Sequence, residues 1–301
     1  MSQYKGWIIY NGSLKEDKFL DFAKWVQEAA SRHQIQTTLI KNNELVITIE
    51  DGNSSIKGPY EGEHPDFVVF TDKDIRLAKQ LETLGIPLFN SAQSIENCDD
   101  KTLMYQVLAD HQLPIPKTIL SPMRFFPVED ADASYYREIA NELGYPFVMK
   151  EAFGSFGQQV YLIDTFETFF TKVKQLGTTP FVIQQLIEAS YGKDIRLNVV
   201  GNQVVASMLR QSTSDFRANV SAGATMEPYQ PTAEEVELAV RCSKVMGTDF
   251  AGVDLLFGED GERYVCEVNS NAHIRNIYDC TGINVAESMI EYIIGKLKGA
   301  S

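Results

Sequence analysis

The chain has 301 residues, 44% hydrophobic and 23% charged, an ordinary composition for a globular protein. Its formal net charge is -14 without any run of Lys and Arg, which argues against a binder of nucleic-acid backbones. The first residues hold only a short apolar run and no segment approaches a membrane span, so we expect a cytoplasmic protein without membrane contact. Its four cysteines share no CxxC spacing, which predicts free thiols.

The first part of the chain alternates short apolar strands with amphipathic helices. The segment GWIIY predicts a strand, a helix carrying Phe19 and Phe22 follows, and TTLIK predicts the next strand. The segments PDFVVF and IPLFN repeat the pattern on either side of a helix predicted from Asp74 to Leu84. This alternation is typical of a three-layer α/β domain with a mainly parallel sheet.

A helix predicted over 101–112 is broken by Pro114 and Pro116, and we place a domain boundary there. A compact α+β lobe is predicted beyond it from a helix ending at Gly144, the strand PFVMK, the loop EAFGSFG, the strand QQVYLI, a helix over 166–175 and the strand FVIQQLI. We therefore expect an N-terminal domain of residues 1–115, a central lobe of residues 116–190 and a C-terminal lobe of residues 191–301.

The C-terminal lobe opens with a predicted hairpin of DIRLNVV and VVASMLR, followed by a Ser-, Ala- and Gly-rich loop over 211–231. Thr232 and Glu235 form a capping box that predicts the start of a helix, and Gly247 is placed to end it. An amphipathic helix from about Val285 to Leu297 closes the chain.

A second predicted hairpin, FAGVDLLF with ERYVCEVNSN, carries polar residues inside otherwise apolar strands. Glu267 and Asn269 are two residues apart and so share a face, and the turn length places Asp254 opposite Glu267. Two carboxylates and an amide oxygen suit Mg²⁺ or Mn²⁺ rather than zinc. The alternative is that the carboxylates are ordinary solvent-facing residues of a half-exposed hairpin.

A second group of candidates lies around the loop EAFGSFG. Lys150 ends the apolar strand before it, and Gly154 and Gly157 allow backbone N–H groups to approach an anion. Such a loop is weak evidence alone, because most similar turns only connect strands. The chain has neither a Walker A sequence nor GxGxxG, which disfavours the corresponding nucleotide-binding folds.

Charged residues of the C-terminal lobe form a third group, comprising Asp194, Arg196, Arg210, Arg217 and Asn219. Arginines that converge near an acidic metal site would stabilise a transferring phosphoryl group or an oxyanion, although each could equally form a surface salt bridge.

The order of these motifs resembles the ATP-grasp superfamily, especially its RimK-like branch of glutamate ligases. The resemblance covers nearly the whole chain and is most specific in DKTLMYQVLADHQLPIPKT, YGKDIRLNVVGNQVVASMLR, DFRANVSAGA and GVDLLF followed by CEVNSN. It implies an ATP-grasp fold of mixed α/β and α+β class, in which an N-terminal parallel-sheet domain precedes two α+β lobes that sandwich ATP.

The resemblance also implies residue roles. The ATP-binding set is Lys101, Lys150, Gly154, Ser155, Phe156, Gly157, Gln184, Gln185, Leu186, Ile187, Asp194, Arg217 and Asn219. Within it, the two lysines would touch the phosphates, the loop over 154–157 would close over them, the segment over 184–187 would lie against adenine, and Asp194 would contact the ribose. The metal set is Asp254, Glu267 and Asn269, which would hold two Mg²⁺ ions, with Mn²⁺ as a substitute.

The implied reaction has two steps, with an amino acid or a peptide as substrate. A substrate carboxylate attacks the γ-phosphate of ATP, and an amine attacks the resulting acyl phosphate to form an amide. Arg217 and Arg210 would stabilise the oxyanion. The alternative is a non-catalytic ATP-binding regulatory module with the same fold. The sequence is also compatible with a homo-oligomer.

Two departures from the family pattern concern substrate specificity. The relatives often have Glu where this chain has Gln185, which bears on adenine binding. After the metal set they usually continue with a small residue, Pro and Gly, whereas this chain reads NSNAHIRNIYDCTG. Asn271, His273 and Arg275 are therefore candidates for contact with a different acid or amine.

Overall fold

The computed structural model describes residues 4–155, 157–220 and 223–299, without the side chains of Asp17 and Lys18. In chain order the first elements are β1 (Lys5–Tyr10), α1 (Asp17–Arg32), β2 (Gln36–Lys41), β3 (Val46–Glu50), β4 (Asn53–Lys57), β5 (Phe67–Phe70), α2 (Ile75–Thr83), β6 (Leu88–Phe89), α3 (Ala92–Asp99) and α4 (Lys101–Asp110). The next are β7 (Thr118–Leu120), α5 (Ala133–Leu143), β8 (Phe147–Glu151), β9 (Val160–Ile163), α6 (Phe166–Leu176) and β10 (Phe181–Gln185). The last are β11 (Lys193–Val200), β12 (Gln203–Gln211), β13 (Thr225–Pro228), α7 (Ala233–Met246), β14 (Phe250–Phe257), β15 (Arg263–Asn269), α8 (Arg275–Thr281) and α9 (Val285–Gly299).

The N-terminal sheet is parallel, with strand order β2-β1-β5-β6. Neighbouring residues of β1 point to opposite faces, so Ile8 packs with α1 and α9 while Ile9 packs with α2 and α3. Burial of both faces explains why these strands are apolar without interruption. The predicted three-layer α/β arrangement is confirmed.

The central sheet is antiparallel, with order β7-β10-β8-β9. One apolar cluster joins it to α5 and α6, and its fully buried aromatic residues include Phe147, Phe169 and Phe181. Strand β10 lies inside this sheet, between β7 and β8, and its last residue leads directly towards the C-terminal lobe. The segment after β10 is therefore the connection between the two lobes.

The C-terminal sheet is antiparallel, with order β13-β12-β11-β14-β15. Helices α4 and α7 cover one face, and α8 and α9 cover part of the other together with α1. The predicted capping box is present, since the Thr232 hydroxyl accepts from the Glu235 amide and the Glu235 carboxylate accepts from the Thr232 amide. Gly247 ends α7 with φ of 75°.

Six elements differ from the expectations. The strands β3, β4 and β7 and the short helices α3 and α8 were not predicted, and β13 lies inside the segment expected to be a loop. All are short, and β13 is mostly exposed, so neither length nor periodicity marks them in the sequence. The division of the chain after residues 115 and 190 stays a prediction. Among the described residues, no helix has both the length and the apolar character that crossing a bilayer requires.

Candidate active site

The hairpin of β14 and β15 has the predicted register. Asp254 lies opposite Glu267 and Gly252 opposite Asn269, with an irregularity just after Asp254. The two strands are adjacent at the edge of the C-terminal sheet, so the three polar residues lie close together on neighbouring strands. The spacing in the sequence was therefore sufficient to predict that these three residues are neighbours.

Asp254 belongs to a buried network of four charges. Its carboxylate accepts two hydrogen bonds of 2.6 Å from Arg196 and lies 2.9 Å from Nη2 of Arg210. Arg210 also donates to both oxygens of Asp194, at 2.6 and 2.7 Å. Burial raises the pKa of Asp194; burial acts in the same direction on Asp254, but the two guanidinium groups outweigh it and lower the pKa of Asp254.

Lys101 joins three segments that are distant in sequence. It is the first residue of α4 and is only 6% exposed. Its Nζ atom lies 3.4 Å from the carbonyl oxygen of Gly154 and 3.6 Å from Oε1 of Glu267. The predicted phosphate lysine, the predicted phosphate loop and a predicted metal ligand therefore meet at one ammonium group.

Lys150 lies inside the same region on β8. Its Nζ atom donates to the hydroxyl of Tyr105 at 2.8 Å, and that hydroxyl donates to the carbonyl oxygen of Cys266 at 2.6 Å. Burial opposes the charge of Lys150, but the neighbouring Cys266 and Tyr105 raise its pKa, so the ammonium form is retained. Burial raises the pKa of the Cys266 thiol to about 11.

The glycine loop between β8 and β9 contacts the C-terminal lobe. Nη1 of Arg217 donates to the carbonyl oxygen of Gly157 at 2.6 Å, while its other guanidinium nitrogens bind Asp215. A Cβ atom on Gly157, where φ is 70°, would lie 2.5 Å from Oδ1 of Asn219. The predicted loop, arginine and asparagine are thus in contact, whereas Phe156 lies outside the described residues.

The segment predicted to lie against adenine follows the end of β10. Gln184 is buried and donates to the Thr118 hydroxyl at 2.8 Å, so its side chain supports the sheet. Gln185 is exposed, and Leu186 and Ile187 are half-buried beyond the strand end. Their backbone therefore lies at the junction between the central and C-terminal sheets.

The three candidate substrate residues contact the N-terminal domain. Asn271 donates to the backbone carbonyl of Asp72 at 2.8 Å. The ring of His273 packs against Phe19 of α1, at 5.4 Å between centroids. Arg275 forms a bidentate pair with Asp21, and its exposed guanidinium does not join the charges around Asp254. Of the three, Asn271 lies beside the metal set.

Two further residues of the site were not predicted. Tyr105 lies one helical turn after Lys101, so helix periodicity could have placed both on one face. Lys73 follows β5, and its ammonium binds Asp99 and the Ser155 hydroxyl. The carboxyl end of a parallel strand is a common position for ligand-binding residues, and this rule could have identified Lys73.

The donor atoms of the metal set suit a hard divalent cation. Asn269 uses its amide nitrogen towards the Gly252 carbonyl at 3.4 Å, which leaves its amide oxygen for another partner. The Glu267 carboxylate is 28% exposed and has one ammonium nearby, at 3.6 Å. In the described part of the chain, no three His, Cys, Asp or Glu side chains gather to hold a metal ion.

The chain thus combines a parallel-sheet domain with two antiparallel sheets and has two buried lysines, Lys101 beside the glycine loop and Lys150 on the strand before it. Residues 98–293 match the family model described as the RimK-like ATP-grasp domain. The chain belongs to the RimK-like ATP-grasp family.

Two curated relatives extend over almost the whole chain. Human N-acetylaspartylglutamate synthase A is 30% identical over 305 residues, covering 97% of this chain and 76% of its own length. Mouse beta-citrylglutamate synthase B is 29% identical over 302 residues, covering 96% and 76%. The chain is an ATP-dependent carboxylate–amine ligase, and the enzyme class predicted from its sequence is confirmed.

The fold has a close counterpart among solved structures. The ATP-grasp ligase PsnB, in complex with a precursor variant, Mg and ADP, superposes with a TM-score of 0.69 at 17% identity. The similarity covers 98% of this chain and 99% of PsnB. The predicted ATP-grasp fold is therefore confirmed over the full length.

Proposed function

We propose that this ligase joins the carboxylate of a small acid or peptide to the amino group of L-glutamate, converting ATP to ADP. The names of the human and mouse relatives share glutamate as the terminal unit of the product, which supports glutamate as the amine. Their acid units, N-acetylaspartate and citrate, differ from each other. The acid is therefore the more variable substrate, and we propose these two acids as the first to test.

One observation carries the proposal: Lys101 lies between the carbonyl of Gly154 and the carboxylate of Glu267. A lysine, a glycine loop and a hard-oxygen donor in contact are what binding of a polyphosphate with its cation requires. An ammonium buried to this degree is costly without negative charge nearby; Glu267 supplies one carboxylate at 3.6 Å, and a triphosphate would supply further negative charge.

We propose that ATP lies between the central and C-terminal sheets. Lys101 and Lys150 would hold its phosphates, the loop over 154–157 would close over them, and the backbone after β10 would contact adenine. Arg217 would keep the loop in place through the Gly157 carbonyl, at 2.6 Å in the present structure. Asp254, Glu267 and Asn269 would hold two Mg²⁺ ions, which lower the charge repulsion between the phosphates and the attacking carboxylate when bound.

The roles of Arg210 and Asp194 depend on their mutual contact. Asp194 uses both carboxylate oxygens on Arg210, so we propose that it affects nucleotide binding mainly by holding that arginine. Arg210 also touches Asp254. Its guanidinium would place positive charge beside the reacting phosphoryl group, and Arg217 would do so from the side of the glycine loop.

The test is ADP release from purified enzyme with ATP, Mg²⁺, L-glutamate and either N-acetyl-L-aspartate or citrate, with the amide identified by mass spectrometry. We expect Glu267→Gln and Lys101→Met each to lower kcat/KM by at least about a hundredfold while the fold is retained. Lys79→Met is the matched control, because Lys79 forms an exposed pair with Glu96 and should keep full activity.

A different result would favour the regulatory alternative. Ligation is contradicted if the wild-type chain binds ATP with Mg²⁺ but forms no ADP with any pair of acid and amine in a wider panel. Substituting Mn²⁺ and titrating either metal would show whether two ions are needed.

A further inference from the structure

The carboxyl ends of β1 and β5 lie side by side in the N-terminal sheet. In this sheet β2 lies on one side of β1, whereas β5 and β6 lie on its other side. The strands β1 and β5 therefore flank the point where the strand order reverses. Open parallel sheets bind ligands in the crevice at such a point. Asn11 directly follows β1, and Asp72 lies two residues beyond β5.

Asp72 is a buried carboxylate with a neutral side-chain partner. It is 6% exposed, and both of its oxygens accept from the amide nitrogen of Asn11 at 3.1 Å. Burial is the main cause that raises the pKa of Asp72. The nearby carboxylate of Asp74 also raises it, whereas the ammonium of Lys73 lowers it. Throughout the described ranges no cation forms an ion pair with Asp72; the ammonium of Lys73 binds Asp99 and Ser155 instead.

The segment after β5 contacts the proposed active site at two points. The side chain of Asn271, two residues beyond Asn269, donates to the backbone carbonyl of Asp72 at 2.8 Å. Lys73, the next residue, donates to the hydroxyl of Ser155 in the glycine loop at 3.2 Å. The segment that carries Asp72 therefore contacts both the end of the metal hairpin and the loop expected to cover the phosphates.

We propose that Asp72 binds the ammonium group of the amine substrate, with Asn11 holding the carboxylate in orientation. The inference rests on the proposed function, because it assigns a position to the amine of that reaction. A buried carboxylate is stabilised when it is paired with a cation, and an ammonium group supplies both charge and three donors. A metal ion fits less well, since the nearby Asn11 oxygen already accepts from the amide and hydroxyl of Ser13.

The direct test is ligand-induced stabilisation with Mg²⁺ and a non-hydrolysable ATP analogue, comparing L-glutamate with N-acetyl-L-glutamate. The wild-type midpoint of thermal unfolding should rise with L-glutamate and not with the acetylated compound, which lacks the ammonium group. Asp72→Asn keeps the shape and removes the charge, and should abolish this discrimination. Equal responses of wild type and Asp72→Asn, or a wild type that does not prefer the free amine, would overturn the assignment.

Kinetics provide the second test. Asp72→Asn should raise KM for L-glutamate by at least about tenfold and leave KM for ATP nearly unchanged. Hydroxylamine, which is uncharged at neutral pH, traps the acyl phosphate as a hydroxamate and needs no carboxylate partner. The rate of hydroxamate formation should be the same in Asp72→Asn and wild type. If the variant lost hydroxamate formation together with amide formation, a role confined to the amine would be contradicted.

Asp249→Asn is the matched control, because Asp249 is a half-buried aspartate that also has a neutral partner, the Tyr292 hydroxyl at 2.8 Å. It should bind L-glutamate as the wild type does. Failure of the proposed function is separately visible: the wild type would then form neither ADP nor hydroxamate, whatever the binding experiment gives.

Discussion

Arg210 lies in the interior of the C-terminal lobe, in contact with the carboxylates of Asp194 and Asp254. With Arg196 the group holds two positive and two negative charges, so its net charge is zero. Removing one member leaves an unpaired charge in a poorly solvated position, which costs far more than loss of an exposed ion pair. The arginine and aspartate residues of this sheet therefore contribute to folding as well as to the proposed chemistry.

We expect Arg210→Met to lower the free energy of unfolding by about 3–5 kcal/mol, because Asp194 then loses the arginine that binds both of its oxygens, while Asp254 keeps Arg196. Arg275→Met is the matched control. Arg275 forms an equally direct pair with Asp21, but both side chains are well exposed, so the loss should be at most about 1 kcal/mol. Urea unfolding of both variants measures the difference in the free energy of unfolding. Similar losses in the two variants would show that an unpaired charge in the buried network costs no more than loss of an exposed ion pair.

At the scale of elements, the glycine loop depends on close contact between two lobes. Gly157 has φ of 70°, and a side chain there would collide with Asn219 on the opposite lobe. The same residue offers its carbonyl to Arg217. The loop can therefore lie against the C-terminal lobe only with glycine at this position.

Gly157→Ala should raise KM for ATP by about tenfold or more, because the added Cβ atom displaces the loop, and should lower stability by about 1 kcal/mol, because φ lies in the left-handed region while both cores stay intact. Gly85→Ala is the control: φ is 75° there as well, but nothing lies within 4 Å of the added Cβ atom. That variant should lose some stability, about 1 kcal/mol, and keep its KM for ATP. Steady-state kinetics with varied ATP distinguish the two, and an unchanged KM in Gly157→Ala would exclude the loop from ATP binding.

At the scale of the whole molecule, Asn90 connects the N-terminal domain to the C-terminal lobe. Its amide nitrogen donates to the carbonyls of Phe250 and Ser270, and its oxygen accepts from the amides of Asp249 and Phe250. All four bonds are made by a residue that is 1% exposed. One side chain thus fixes the end of β6 against the beginning of β14 and the residue after the metal hairpin.

Asn90→Ala should cost roughly 3 kcal/mol or more, because several buried backbone groups lose their partners at once. Asn97→Ala removes one bond to Gln93 on an exposed helix face and should change stability by less than about 1 kcal/mol. Chemical denaturation gives the comparison. A small effect of Asn90→Ala would mean that water replaces the lost amide, and the domains would then be joined mainly by apolar contacts.

Several features were determined by the sequence because they depend on neighbours along the chain. Two apolar runs joined by turn residues predicted the hairpin of β14 and β15, including the pairing of Asp254 with Glu267. Side chain to backbone bonds within one turn predicted the start of α7 at Thr232. The motif order predicted the enzyme class, now confirmed by family membership. Individual ligand roles stay predictions.

Other features were decided only by tertiary structure, since they join segments far apart in the chain. Periodicity gave no sign that Asn90 would hold the end of the metal hairpin, or that Arg210 would bind two carboxylates rather than remain available to a ligand. The contact between Asn11 and Asp72 likewise exists only because β1 and β5 become neighbours in the sheet. Local pattern selects helices and strands, but which polar groups meet in the interior depends on how the three sheets pack against one another.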